Sequence, residues 1–177
     1  MDNLLNSEAT TALILLGILI VSYGILRSIF FPAVKKLANR TSTFIDDLFL
    51  DKKFLNRLSY VVVFIVFNIL TATPEFSIDL FSNVIVSRLI DAAFALLVGL
   101  TILEVLSVFN KISEKIDVLK DRPIKGYIQI LKIIISAFVV IIIFAIVTGQ
   151  SVAYYISGLG ALTAVLLLVF QDTILSF

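Results

Sequence analysis

The chain has 177 residues, 60% of them hydrophobic, a mean hydropathy of +1.11 and a formal net charge of +1. Soluble domains typically carry about 45–50% apolar residues, so an ordinary soluble domain is excluded. There is no cysteine and no histidine, which removes disulfide and thiol chemistry and the commonest acid–base group.

A membrane-spanning helix needs about 20 largely apolar residues, and five segments qualify. The first is 9–31. Asp2 and Glu8 precede it where a secretory signal would carry bases, and the run is too long for a signal's apolar core, so it reads as a permanent first span. The second, 58–73, is short and borrows Leu55 and Asn56. The third is 84–109, the fourth 126–148 and the fifth 152–170. Pro32, Pro74 and Pro123 fall at span ends, as expected of a residue that lacks a donor and restricts its predecessor.

The polar stretches set the topology. The first, 32–57, holds Lys35, Lys36, Arg40, Lys52, Lys53 and Arg57, and the second, 110–125, holds Lys111, Lys115, Lys120, Arg122 and Lys125. The other connections and the N-terminal tail hold no base. Basic residues near span ends favour the cytoplasm, so the N-terminus is expected outside and the C-terminus inside. Phe44, Ile45, Leu48, Phe49, Phe54, Leu55 and Leu58 alternate with charges in the first stretch. That spacing suits a helix lying in the interface, but a helical hairpin joining the first two spans explains it more simply.

Five ionisable residues fall inside the spans: Arg27, Arg88, Asp91, Glu104 and Lys132. Such groups are functional candidates by default. Arg27 is within snorkelling reach of the inner end. Arg88 and Asp91 are three apart and can pair on one helix face. Glu104 and Lys132 are at similar depth on adjacent antiparallel spans and are expected to pair. All five lie away from the midplane, so the reading is paired or snorkelling anchors rather than a coupling site.

Gly158-Leu-Gly160 lacks the third glycine and the strand of a dinucleotide loop. Asn39-Arg-Thr41 matches a glycosylation acceptor but lies on the expected cytoplasmic side. No Ser, Asp and Glu set has catalytic spacing, so no enzyme activity is expected. Bases without interleaved aromatics argue against nucleic acid. No metal or cofactor is expected.

The fifth span carries the most information. Its N-terminal half holds small residues, Ser157, Gly158, Gly160, Ala161, Thr163 and Ala164, and it ends on Gln171 and Asp172. Small residues let helices approach closely in lipid. Ser157, Ala161, Ala164, Leu168 and Gln171 share one stripe, opposite Leu159, Leu162, Leu166 and Phe170. On an axis, that stripe would be wide above a narrow apolar ring at Leu168, where water empties first. The stripe could equally pack against the other four spans, and periodicity alone does not separate the two.

The stretch ISGLGALTAVLLLVFQDTIL resembles the pore helix of the small-conductance mechanosensitive channel (MscS) family, nearest its miniconductance, YbdG-like branch. FIDDLFLDKKFLNRLSY fits the same branch more weakly. The resemblance implies an all-α membrane part with five spans per chain. Residues 1–151 would form a lipid-facing sensor region and 152–177 the pore helix of a ring, most often a homoheptamer, in the bacterial inner membrane. It implies a gate of two apolar rings at Ala164 and Leu168, close packing at Gly158, Gly160, Ala161 and Thr163, and a helix break at Gln171–Asp172. Two positions depart from the family pattern. Ala164 stands where a bulkier residue is usual, and Gln171-Asp172-Thr173 where a basic residue, Asp and Pro are usual. A cytoplasmic β-domain is expected beyond Phe177. Function would be release of ions and small solutes under membrane tension during hypo-osmotic shock, with lipids and permeating ions as partners. The alternative is a small secondary transporter or a membrane scaffold subunit. It is disfavoured because no midplane polar site and no paired broken helices are visible.

Overall fold

The computed structural model describes residues 2–38, 51–76, 78–113 and 124–175. Every regular element among them is helical: α1 (Asp2–Ile25), a π-turn (Leu26–Phe30), α2 (Phe31–Ala38), α3 (Lys52–Thr71), a 3₁₀ turn (Pro74–Phe76), α4 (Asp79–Ser82), α5 (Val84–Ser113), α6 (Ile124–Thr148) and α7 (Val152–Leu175). Five stretches are long and apolar enough to cross a membrane: Ala9–Ala33, Lys52–Thr71, Val84–Ser113, Lys125–Thr148 and Val152–Gln171. These correspond to the five expected spans with shifted ends.

Two of the shifts have local causes. The first helical rod does not stop at Pro32. A proline ring collides with the carbonyl four residues back in a regular helix. Here the widened π-turn immediately before it, closed by the Phe31 N–H on the Leu26 carbonyl, makes room and α2 continues to Ala38. The second span begins at Lys52 rather than Leu58, because Asp51 caps it. Its carboxylate accepts the N–H of Lys53 at 2.8 Å and of Phe54 at 3.1 Å. Phe54 and Leu55 are consequently buried rather than laid on an interface, and residues 39–50 of the amphipathic stretch lie outside the described residues.

The packed centre lies at the basic end of the bundle. Phe31, Phe54, Leu55, Val108 and Ile112 form one cluster, with Leu26, Leu58 and Val105 against it. It ties α2, α3 and α5 together. Higher up, Phe64 of α3 stacks on Phe94 of α5 with ring centroids 5.0 Å apart. Asn83 starts α5 by accepting the Ile85 N–H at 2.9 Å.

α5 and α6 form the most extensive helix pair. Gly99 sets their separation: a Cβ there would lie 2.6 Å from a Val139 methyl, so the helices meet at a distance only glycine permits. α6 ends on Gly149, whose φ of +71° is the left-handed conformation glycine adopts most readily. The Gly149 N–H reaches the Ile146 carbonyl and the Gln150 N–H the Ala145 carbonyl, a Schellman closure. Ser151 then caps α7 by accepting the Tyr154 N–H at 3.1 Å.

Candidate functional site

α7 stands apart from the rest of the chain. It has 24 residues, so it is about 36 Å long. Every residue from 156 to 171 is exposed, and none of its apolar span is buried. Contact with α6 is confined to the end near the turn, where Tyr155 donates to Thr148 Oγ1 at 2.9 Å and packs on Phe144. Gly158 and Gly160 have no atom within 4 Å of where a Cβ would sit. Thr163 donates back to the Leu159 carbonyl of its own helix at 2.8 Å. Ala161, Ala164 and Gln171 are exposed, and Leu168 is 71% exposed. Packing of this helix on the other spans of the same chain, which periodicity had left open, is therefore not adopted along most of its length. The expected break at Gln171–Asp172 is absent: the helix runs through both residues to Leu175. Neither residue ends a helix by itself, as a proline at the next position would.

The ionisable residues of the spans arrange themselves differently from the expected pairs. Glu104 is buried, and its partner is Arg57 of α3, 3.6 Å away, not Lys132. Arg57 also donates to the Leu100 carbonyl of α5. Lys132 instead donates to Ser107 Oγ at 2.9 Å, one turn from Glu104. The two residues expected to pair do share surroundings. Both line an open cavity of about 360 Å³ between α3, α5 and α6, with Arg57, Ser107, Gln129 and Ser136 as further polar walls.

Arg88 and Asp91 form no ion pair. The guanidinium of Arg88 lies against Gly149 at the α6–α7 turn, and Asp91 is exposed on α5. Spacing of three permits a pair but does not compel it when the longer side chain has another seat. Arg27 donates to Tyr23 Oη at 2.7 Å, and Tyr23 stacks on Tyr60 of α3.

A second ion pair joins the basic ends of α3 and α5. Lys111 Nζ lies 2.6 Å from Asp51, the residue that caps α3. Partial burial pushes the Asp51 carboxyl up, but the Lys111 ammonium and the N–H groups of Phe54 and Lys53 outweigh it and hold it below its ordinary value.

Arg57, Asp51 and Ser107 were not singled out by the sequence pattern. Arg57 registered only as one of several bases in a polar stretch. Its position one to two turns inside α3 was the available signal.

These features define a class: an all-helical chain with five helices fit to cross a membrane and a terminal helix that leaves its own bundle. No protein-family model matches the chain. No solved structure matches it.

Proposed function

We propose that the chain is the membrane part of a tension-gated channel, with α7 from several copies, seven as in the family that 156–175 resembles, surrounding a central pore. The observation that supports this is the exposure of α7 on every face. An apolar helix free of its own bundle has two kinds of neighbour, lipid or other copies. Lipid alone gives no reason for one half to carry Ser157, Gly158, Gly160, Ala161, Thr163 and Ala164, whereas close helix packing does. The resemblance of 156–175 to a mechanosensitive pore helix points the same way. In this arrangement the N-terminus is outside and the C-terminus in the cytoplasm of a bacterial inner membrane.

The stripe Ser157, Ala161, Ala164, Leu168 and Gln171 faces the axis. Leu168 forms the narrowest apolar ring, with Ala164 a wider ring one turn above. Water leaves such a constriction before the side chains touch. Tension favours whichever state occupies more membrane area, because only a difference between states shifts an equilibrium. The four earlier spans present their apolar faces to lipid and carry that change of area to α7 through the Gly149 turn. The proposal involves no enzymatic step and no cofactor.

Cross-linking tests the ring, and the chain's lack of cysteine gives a clean background. Leu168→Cys in lipid vesicles under a mild oxidant should give disulfide-linked copies. Leu166→Cys, on the opposite side, should give far fewer. Equal and low yields at both positions would remove the axis from this helix.

A further inference from the structure

Among the described residues, charge in the groove between α3, α5 and α6 does not balance. Arg57 and Lys132 bring two positive charges and Glu104 one negative. Glu104 is committed to Arg57 at 3.6 Å. Lys132 meets the neutral hydroxyl of Ser107 at 2.9 Å, and no described carboxylate lies within 4.0 Å of it. A lysine ammonium has three donors, so two remain to be filled. Lys132 sits eight residues into α6, about 12 Å along a helix about 37 Å long. The hydrocarbon core is about 30 Å thick, so this position lies beneath its boundary. A charge with no described counterion there is costly and calls for an anion.

The groove reaches that boundary. A second cavity of about 140 Å³, lined by Asn110, Lys125, Ile128, Gln129 and Lys132, shares Gln129 and Lys132 with the first and adjoins it on the side of Lys125, at the basic end of α6. The Ser107 and Ser136 hydroxyls donate to the Leu103 and Ile133 carbonyls at 2.9 and 2.8 Å. Lys132 and Gln129 are the residues that line both cavities. Leu100, Leu103 and Ile133 supply an apolar wall beside them.

We propose that this groove seats the phosphate group of an anionic phospholipid from the leaflet at the basic ends of the spans. The phosphate lies on the Lys132 ammonium and the Gln129 amide, and an acyl chain lies along Leu100, Leu103 and Ile133. A basic recess between spans suits such a headgroup. A free phosphate ion would leave the apolar wall unused. This assignment depends only on the chain spanning a membrane and holds whether or not α7 lines a pore.

The test is lipid retention by the full chain taken from nanodiscs of phosphatidylcholine with a minor share of phosphatidylglycerol. Native mass spectrometry reads the bound lipid. The parent should retain phosphatidylglycerol well above its share. Lys132→Gln should lower that enrichment about tenfold, the scale of a lost charge-assisted hydrogen bond. Lys132→Arg should keep it, as should Lys36→Gln, on α2 and in the lining of neither cavity. In pure phosphatidylcholine Lys132→Gln should unfold no earlier than the parent, because it removes a charge with no described counterion. Should it fold poorly, Gln129→Ala reads the same site and should reduce enrichment partially. Unchanged enrichment in both variants, or no enrichment in the parent, overturns the site. Displacement of the lipid by excess inorganic phosphate overturns the lipid as its occupant.

Discussion

Arg57 of α3 and Glu104 of α5 lie 3.6 Å apart at membrane depth, and Arg57 also holds the Leu100 carbonyl one turn away on α5. The pair therefore fixes the register of two neighbouring spans. Glu104 is buried and Arg57 is about a third exposed, so the two partners are not equivalent.

That asymmetry gives the first prediction. Arg57→Leu leaves a buried carboxylate without its cation and should lower stability by about 1–3 kcal/mol. Glu104→Gln leaves Arg57 with the Leu100 carbonyl and should cost less. The double variant Arg57→Leu/Glu104→Gln should cost less than the sum of the two. Thermal unfolding in detergent micelles of all four proteins checks this, and strict additivity would show that the pair does not couple.

Asp51 gives a pH dependence with a definite sign. Its carboxyl is held below its ordinary value in the folded chain, so its contribution is present above the unfolded pKa, about 3.8, and is lost as pH falls through the lower folded value. Unfolding monitored from pH 7 downward should show no loss from this group until below about pH 4. Asp51→Ala should remove both the cap and the Lys111 contact, costing about 1 kcal/mol. Asp51→Asn keeps a capping side chain and should cost less.

Two sets of glycines separate packing within the chain from the proposed packing between copies. Gly99→Ala places a methyl against Val139 and should cost about 1–3 kcal/mol of stability within a single copy. At Gly158 and Gly160 an added Cβ meets nothing within 4 Å in the chain itself, so Gly158→Leu and Gly160→Leu begin in open space. They should leave the single chain's unfolding nearly unchanged and weaken assembly. Size-exclusion and native mass spectrometry in mild detergent report the second effect, and a full-size assembly from Gly158→Leu would argue against close packing there.

The spans were legible in the sequence because uninterrupted apolar runs such as 126–148 have one explanation at that length. Their ends were less so. Pro32 suggests a stop, but the π-turn that absorbs it leaves no residue signature in Leu26–Phe30. The partners of the charged residues were not legible at all. Counting along a helix gives depth, and Glu104 and Lys132, expected to pair on that ground, line one cavity without pairing. It gives no direction around the bundle, so Arg57 on a different neighbour took the carboxylate. The small residues of α7 were visible at once, but the helix is exposed along 156–171, so packing within the chain does not assign a role to any one face.

Patch recording from liposomes containing the full chain tests the central claim most directly. Suction should evoke stepwise conductance, and Leu168→Ser should need less suction than the parent, because each ring member exchanges apolar surface for a hydroxyl that holds water. Leu166→Ser should show no such gain. Patches that rupture without conductance steps, or a lowered threshold for Leu166→Ser with Leu168→Ser unchanged, would contradict the assignment of α7 as the pore helix with Leu168 at its gate.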